Sequence, residues 1–401
     1  AANGNGWNSA DVTITWSCTN SLSPILSGTV TQTLTAEGAA QSATGMCQDQ
    51  AGNTASNTQS GINIDKTAPT GVSLVPSGTL GNNGWYTSNV TITTTGTEAV
   101  SGPLTCTGVQ SLTTDTASAT FNGSCTNLAG FTSNAAPLTL KRDATNPTIT
   151  FLNRTPANGN GWNNGDVTLN WSCTDAMSGP VDGTITQTAT AEGANQSSTA
   201  TCFDNAGNSA SDTQSGINID KTAPGIVANR TPAANANGWN NSDVTVTFTG
   251  NDGLSGLVSC TTPVVFSAEG AGQSATGTCA DNAGNSSSAT VNNINIDKTA
   301  PTATATASPA SNSNGWNNTD VTVTFTGVDG LSGIDSCAAN VLLNTEGAGQ
   351  SATGACADLA GNVSAPATAS GINIDKTDPA LSLPANIVVE ATGASGAVVN
   401  Y

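Results

Sequence analysis

The sequence predicts an all-β chain of tandem immunoglobulin-like β-sandwich domains, one disulfide each, arranged as an extended rod. Three observations predict it. A tryptophan phrase recurs every 77 or 78 residues, apolar and polar residues alternate with period two between its copies, and each copy is followed by two cysteines at set offsets.

The phrase Asn-Gly-Trp sets the frame at Trp7, Trp85, Trp162, Trp239 and Trp316. Gly-Ile-Asn-Ile-Asp-Lys-Thr closes three units, at Gly61, Gly216 and Gly371, and a close variant at Asn293 closes the fourth. A proline follows most of these phrases and stiffens the joint between units. The expected domains are 1–66, whose first strand is missing, 67–143, which diverges most, 144–221, 222–298 and 299–376, with 377–401 opening a sixth.

Within a unit, Val244, Val246 and Phe248 alternate with Thr245, Thr247 and Thr249, and Val167, Leu169, Trp171 and Cys173 share one face. This is the pattern of half-buried antiparallel strands. Asp252-Gly253, Glu269-Gly270 and Ala283-Gly284-Asn285 supply turn chemistry between them. Short strands separated by a turn about every 10 residues indicate a sandwich, and a unit this small calls for a covalent staple.

The cysteines say where the staple sits. The second always lies 40 residues after the frame tryptophan, at Cys47, Cys125, Cys202, Cys279 and Cys356. The first lies 11 after it (Cys18, Cys173) or 21 after it (Cys106, Cys260, Cys337). Whichever place lacks cysteine holds glycine: Gly28 and Gly183, or Gly96, Gly250 and Gly327. Both mates must then lie near one core point on neighbouring strands. The expected pairs are Cys18–Cys47, Cys106–Cys125, Cys173–Cys202, Cys260–Cys279 and Cys337–Cys356. Cys18 shares the inward phase of Val12, Ile14 and Trp16, so its bond should cross between sheets. Regular pairing of this kind implies an oxidising compartment.

Composition removes several functions. With 27 acidic against 8 basic residues, a net charge of -19 repels nucleic acid and anionic membranes. The absence of histidine removes the commonest general base and transition-metal ligand. No apolar run approaches the roughly 20 residues that span a bilayer.

The acids fall in columns measured from the frame tryptophan. At +4 stand Asp11, Asp166, Asp243 and Asp320, with Asn89 in the second unit. At +13 stand Glu98, Asp175, Asp252 and Asp329, with Asn20 in the first; at +30 stand Glu37, Asp115, Glu192, Glu269 and Glu346. At +42 stand Asp49, Asp204, Asp281 and Asp358, with Asn127 in the second, and the closing phrase adds Asp65, Asp143, Asp220, Asp297 and Asp375. A sandwich layout puts +30 and the closing Asp at one end of a unit and +13 and +42 at the other. Each junction would then gather the first pair from one unit and the second pair from the next. The sets are Glu37 and Asp65 with Glu98; Asp115 and Asp143 with Asp175 and Asp204; Glu192 and Asp220 with Asp252 and Asp281; and Glu269 and Asp297 with Asp329 and Asp358. Clustered carboxylates suit a hard cation, and Ca2+ tolerates irregular oxygen shells. Solvated turn acids, and a closing Asp paired with its adjacent lysine, give the same columns for local reasons, so both readings stand. The frame tryptophan is expected to plug the bottom of each sandwich, with stacking on a ligand as the alternative.

The stretch 237–247, with Asp281-Asn-Ala-Gly-Asn285 and Asn295-Ile-Asp-Lys-Thr-Ala-Pro301, resembles the bacterial Ig-like repeats of large extracellular adhesin-type proteins. The resemblance covers residues 1–379 and implies a sandwich fold with Ca2+ at the domain junctions. It also departs from the usual adhesin repeat, which lacks cysteine. Leu383–Thr392 resembles the opening of a hyalin repeat (HYR) domain, itself Ig-like and associated with adhesion.

The expected function is that of an extracellular structural protein, secreted or anchored at the cell surface: a stalk, filament or sheath component with no catalytic residues. Its expected partners are other copies of itself, head to tail or side by side. The alternative is a cell-surface adhesin or glycan-binding module.

Overall fold

The computed structural model describes residues 1–382, 389–390 and 393–396. The expected hyalin-type opening rests on Leu383–Thr392, most of which lies outside the described residues. The chain divides into two compact units, residues 1–157 with 165–219, and residues 158–164 with 220–401. Nearly all the regular structure is β; the only helical element among the described residues is a single 3-10 turn at Asn82–Gly84.

In the second unit, Val244–Asn251 forms because β-branched and aromatic residues alternate with threonine. It pairs antiparallel with Gly225–Thr231 on one side and Val264–Phe266 on the other. A second sheet holds Leu257–Cys260, Gly270–Asp281 and Ser286–Ile296 in that order. The inward residues of both sheets meet in one core of Val244, Val246, Phe248, Ala275, Ile294 and Ile296. The next repeat rebuilds that core from Val321, Val323, Phe325, Ala352, Ile372 and Ile374.

The first unit carries the same arrangement. Thr148–Arg154, Val167–Thr174 and Thr184–Ala189 form one sheet, and Gly193–Phe203 pairs with Ser209–Ile219 in the other. Their core is Val167, Leu169, Trp171, Ala200, Ile217 and Ile219. The divergent second repeat keeps a smaller core of Val90, Ile92, Leu112 and Leu140. In the first repeat Val12–Ser17 pairs with Thr29–Leu34 alone, whereas its counterparts further along the chain are paired on both edges.

The closing phrase is constant because each residue has a separate task. Ile294 and Ile296 enter the core. Asn295 between them accepts the Gly272 N–H at 2.7 Å and donates to the Gly238 carbonyl at 2.9 Å. It thereby staples the loop before the frame tryptophan to a bulged strand. The bulge needs a positive φ, found at Gly272 (+70°) and, at the same offset, Ala40 and Asn195 (54° each).

Each second cysteine joins the first cysteine of its own repeat, in two geometries. Cys173–Cys202 links strands of different sheets, and Cys18–Cys47 does the same from the residue just after Val12–Ser17, with Cα atoms 5.8 and 6.1 Å apart. Cys106–Cys125, Cys260–Cys279 and Cys337–Cys356 link residues directly opposite each other in one sheet, 3.9 to 4.0 Å apart. The glycine rule holds on one side only. A Cβ at Gly250 would lie 2.8 Å from Cys279 Sγ, and at Gly327 3.0 Å from Cys356 Sγ. Around Gly28 and Gly183 nothing lies within 4 Å, so sulfur does not demand glycine there. Those two contribute backbone carbonyls, which accept the Cys18 and Cys173 N–H groups.

The frame tryptophan does not plug every sandwich. Trp7 and Trp85 are 7% exposed, but Trp162 and Trp239 are half-buried and Trp316 is 38% exposed. Trp7, Trp85 and Trp316 each open a two-residue strand paired parallel with the closing strand, and Trp85 is roofed by Lys141, whose Nζ lies 5.0 Å from the ring centre.

Candidate metal centre

At three places where one repeat gives way to the next, three loops converge, and each presents an aspartate for a local reason. Asp252 Oδ1 accepts the N–H groups of Leu254 (3.1 Å) and Gly256 (2.6 Å), which curls the Asp-Gly-Leu-Ser-Gly loop around it. Asp281 Oδ1 accepts Gly284 and Asn285 N–H at 2.7 and 2.8 Å, closing the hairpin turn. Asp220, at the end of the closing phrase, accepts Thr222 N–H on Oδ1 and Ser255 N–H on Oδ2. Asn285 Nδ2 completes the knot by donating to the Asp220 carbonyl at 2.9 Å and to Asp281 Oδ2 at 2.8 Å.

These bonds bring Asp220, Asp252 and Asp281 together, with one carboxylate oxygen of each within 4.8 Å of the others. Asp143, Asp175 and Asp204 form the same group in the first unit, and Asp297, Asp329 and Asp358 form it again in the second. The closing Asp of each set is fully buried and the hairpin Asp is at most 2% exposed. Burial pushes the carboxyls of Asp252 and Asp329 up, but the N–H groups of their own loops prevail and hold both below the usual 3.8. Three ionised carboxylates this close repel by on the order of 3 kcal/mol per pair at an effective dielectric of about 20, less with screening. The donor set, hard oxygens of net charge −3, fits a Ca2+ ion.

Three of the closing lysines are engaged elsewhere. Lys66, Lys298 and Lys376 turn back into their own repeats, onto Asp11, Asp243 and Asp320 at 2.6 to 2.9 Å. In these three repeats the structure thus pairs the closing lysine with the +4 acid, not with the closing Asp.

None of the +30 acids is a member of these groups. Glu37 accepts the Lys66 N–H and the Thr67 hydroxyl, and Glu269 does the same for Lys298 and Thr299. Asp115 accepts Ala144 N–H and Thr145 Oγ1 and pairs with Arg142. These side chains reach the nearby linker N–H groups, and Asp115 also lines a cavity with Thr174 and Asp175 of the next repeat. Glu192, in the same column, belongs to none of the three-carboxylate groups.

The expected set Glu37, Asp65 and Glu98 also assembles differently, because Asn127 holds the +42 place. Its Nδ2 lies 2.9 Å from Asp65 Oδ2, from Glu98 Oε2 and from the Thr67 carbonyl. Asp49, whose +13 neighbour is Asn20, likewise accepts an amide at 2.9 Å; it is held at about 2, chiefly by Asn53.

A second tie went unread in the sequence. Asn3 and Asn5 donate to the Leu128 carbonyl, Asn158 and Asn160 to that of Asn282, and Asn235 and Asn237 to that of Leu359. The Asn-x-Asn before each of these frame tryptophans therefore clasps the hairpin turn of the following repeat. Its signal is the spacing of two asparagines just before the frame tryptophan.

No family model matches the chain, and no curated protein matches it. Among solved structures, a Ca2+-stabilized adhesin that helps an Antarctic bacterium reach out and bind ice is 15% identical. It covers 77% of this chain and 100% of its own, with a TM-score of 0.29. A 1.5-MDa bacterial ice-binding adhesin is 16% identical over 57% of this chain and 98% of its own, with a TM-score of 0.25. The protocadherin GammaB4 extracellular domain is 11% identical over 92% of this chain and 77% of its own, at 0.27. The fold rests on the sheets described above, and likenesses this distant add nothing about what this chain binds.

Proposed function

We propose that this chain is a non-enzymatic, extracellular array of β-sandwich modules, a stalk or filament segment of an adhesion-type protein. Three of its joints are closed by Ca2+. The modules follow the sequence repeats, with boundaries near residues 66, 143, 221, 298 and 376. The observation that carries the reading is the convergence of three buried or half-buried aspartates, repeated at three equivalent places. Bound Ca2+ supplies the positive charge that these carboxylates lack. The residues do the rest. The closing Asp is the last inward-facing point of one repeat and the other two belong to loops of the next, so a shared ligand restrains the linker between them. Holding a spacing needs stiff joints, and a Pro-bearing linker with an Asn clasp and a cation supplies three restraints on one hinge.

Small-angle scattering on the full chain tests this. The expected result is a larger maximum dimension in Ca2+ than in EGTA, with three ions bound per chain by calorimetric titration. Identical scattering curves, with no heat of binding, remove the metal from the reading.

A further inference from the structure

We propose that the first joint is a calcium-independent joint, in which the Asn127 carboxamide takes the place that a cation has in the other three. This rests on the reading that those three joints bind Ca2+.

Three positions change together at this joint. Where the other joints carry Asp at +13, Asp at +42 and Asn at +46 (Asp252, Asp281 and Asn285, for example), this one carries Glu98, Asn127 and Phe131. Each change serves the same end. Elsewhere the +46 asparagine donates to backbone carbonyls of the linker, Asp220 and Thr222 in one case. Phe131 lacks that amide, and Asn127 Nδ2 donates to the Thr67 carbonyl, the counterpart of Thr222, in its stead. The same nitrogen then faces Asp65 Oδ2 and Glu98 Oε2, both at 2.9 Å. Glutamate at 98 has one methylene more than aspartate, the extra reach that this contact uses. Asn127 Oδ1 accepts Phe131 N–H at 2.9 Å, as Asp281 Oδ1 accepts Asn285 N–H.

The amide orientation is fixed by these partners, since the reverse would set an oxygen against three oxygens. Asn127 is 3% exposed, so its N–H groups have no solvent to turn to. Ser101 Oγ donates a further hydrogen bond to Asp65 Oδ2. Glu98 is held below its usual 4.5: burial pushes it up, and the Val100 N–H, the Asn127 amide and the Ala99 N–H outweigh that. The joint therefore carries two carboxylates instead of three and meets both with protein donors. Ca2+ depletion would loosen the later joints and leave this one closed.

The test uses the full chain. Wild type should bind three Ca2+, and the triple variant Glu98→Asp, Asn127→Asp, Phe131→Asn, which restores the residues of the other joints, should bind four. Hydrogen exchange supplies a second readout. In EGTA, peptides covering Thr145, Thr222 and Thr299 should exchange about 10-fold faster while that covering Thr67 does not change. In Asn127→Ala the Thr67 peptide should accelerate about 10-fold with or without Ca2+. Four ions on wild type, or a Thr67 peptide that responds to EGTA like the rest, overturns the proposal and leaves the calcium reading intact. No ions at all, with every linker equally protected, removes the calcium reading and the contrast with it.

Discussion

Three carboxylates at the joints, Asp252, Asp329 and Glu98, are stabilised by backbone N–H groups, and this sets their acid response. Asp252 and Asp329 sit below their usual 3.8 and Glu98 below 4.5. A group whose folded value is depressed contributes stability that is present above its unfolded value and is lost as pH falls through the folded one. Thermal stability should therefore be level from pH 7 to about 4.5 and decline below that, followed by tryptophan fluorescence. A loss that began between pH 7 and 5.5 would mean that these carboxyls are raised instead. Glycines give a second test at this scale. Gly250→Ala places a Cβ 2.8 Å from Cys279 Sγ and from the Gly225 carbonyl, and should cost about 1–3 kcal/mol by overpacking. Gly183→Ala meets nothing within 4 Å and should stay within about 0.5 kcal/mol of wild type in urea titrations.

The two disulfide geometries travel with the residue beside them on the inner face of the sheet. Where the bond crosses between sheets, the residue nine after the frame tryptophan is Trp16 or Trp171; where it lies within one sheet, it is Thr94, Phe248 or Phe325. Trp171 stays polar at one edge, donating its indole N–H to Asp212 at 2.7 Å, and packs edge-on against Phe151. The facing strand makes room with a small residue: Gly45, Gly123, Ala200, Gly277 or Gly354. A Cβ on Gly277 would stand 2.4 Å from the Phe248 ring. The Asn-x-Asn clasp is likewise a property of one loop. Replacing Asn235 and Asn237 by alanine removes two exposed hydrogen bonds to the Leu359 carbonyl and the two, also exposed, that Asn235 Oδ1 accepts from the Asn237 and Trp239 N–H groups. It should leave the melting temperature nearly unchanged, since exposed bonds contribute little to stability, while raising exchange in the Asp358–Asn362 turn. An unchanged turn would show that the clasp restrains nothing.

Under tension, the molecule as a whole should report its two bond types. A disulfide keeps the residues between its cysteines from extending. These number 29 in sequence separation for Cys18–Cys47 and Cys173–Cys202, and 19 for the other three. The difference, 29 − 19 = 10 residues, corresponds to about 35 Å of extended chain. Single-molecule stretching should show two classes of unfolding step, two short for every three long, that merge into one longer class in reductant. A single class under oxidising conditions would contradict the pairing.

Period and spacing determined a good deal by themselves. Alternation in Val244–Thr249 places side chains on opposite faces of any strand, and a fixed offset between Cys and Trp identifies equivalent points without coordinates. The repeat length, the strands and the cysteine partners were therefore legible, because each depends on separation along the chain. What the tertiary structure alone decided was which acids meet. Glu37, Asp115 and Glu269 fall in as regular a column as the closing aspartates, yet they reach the nearest linker N–H groups, while Asp220, Asp252 and Asp281 are turned toward one point by hydrogen bonds from three loops. A column gives a residue's place along the strand, but the direction of its side chain depends on hydrogen-bond partners as far as 60 residues away, as the Thr67 carbonyl is from the Asn127 amide.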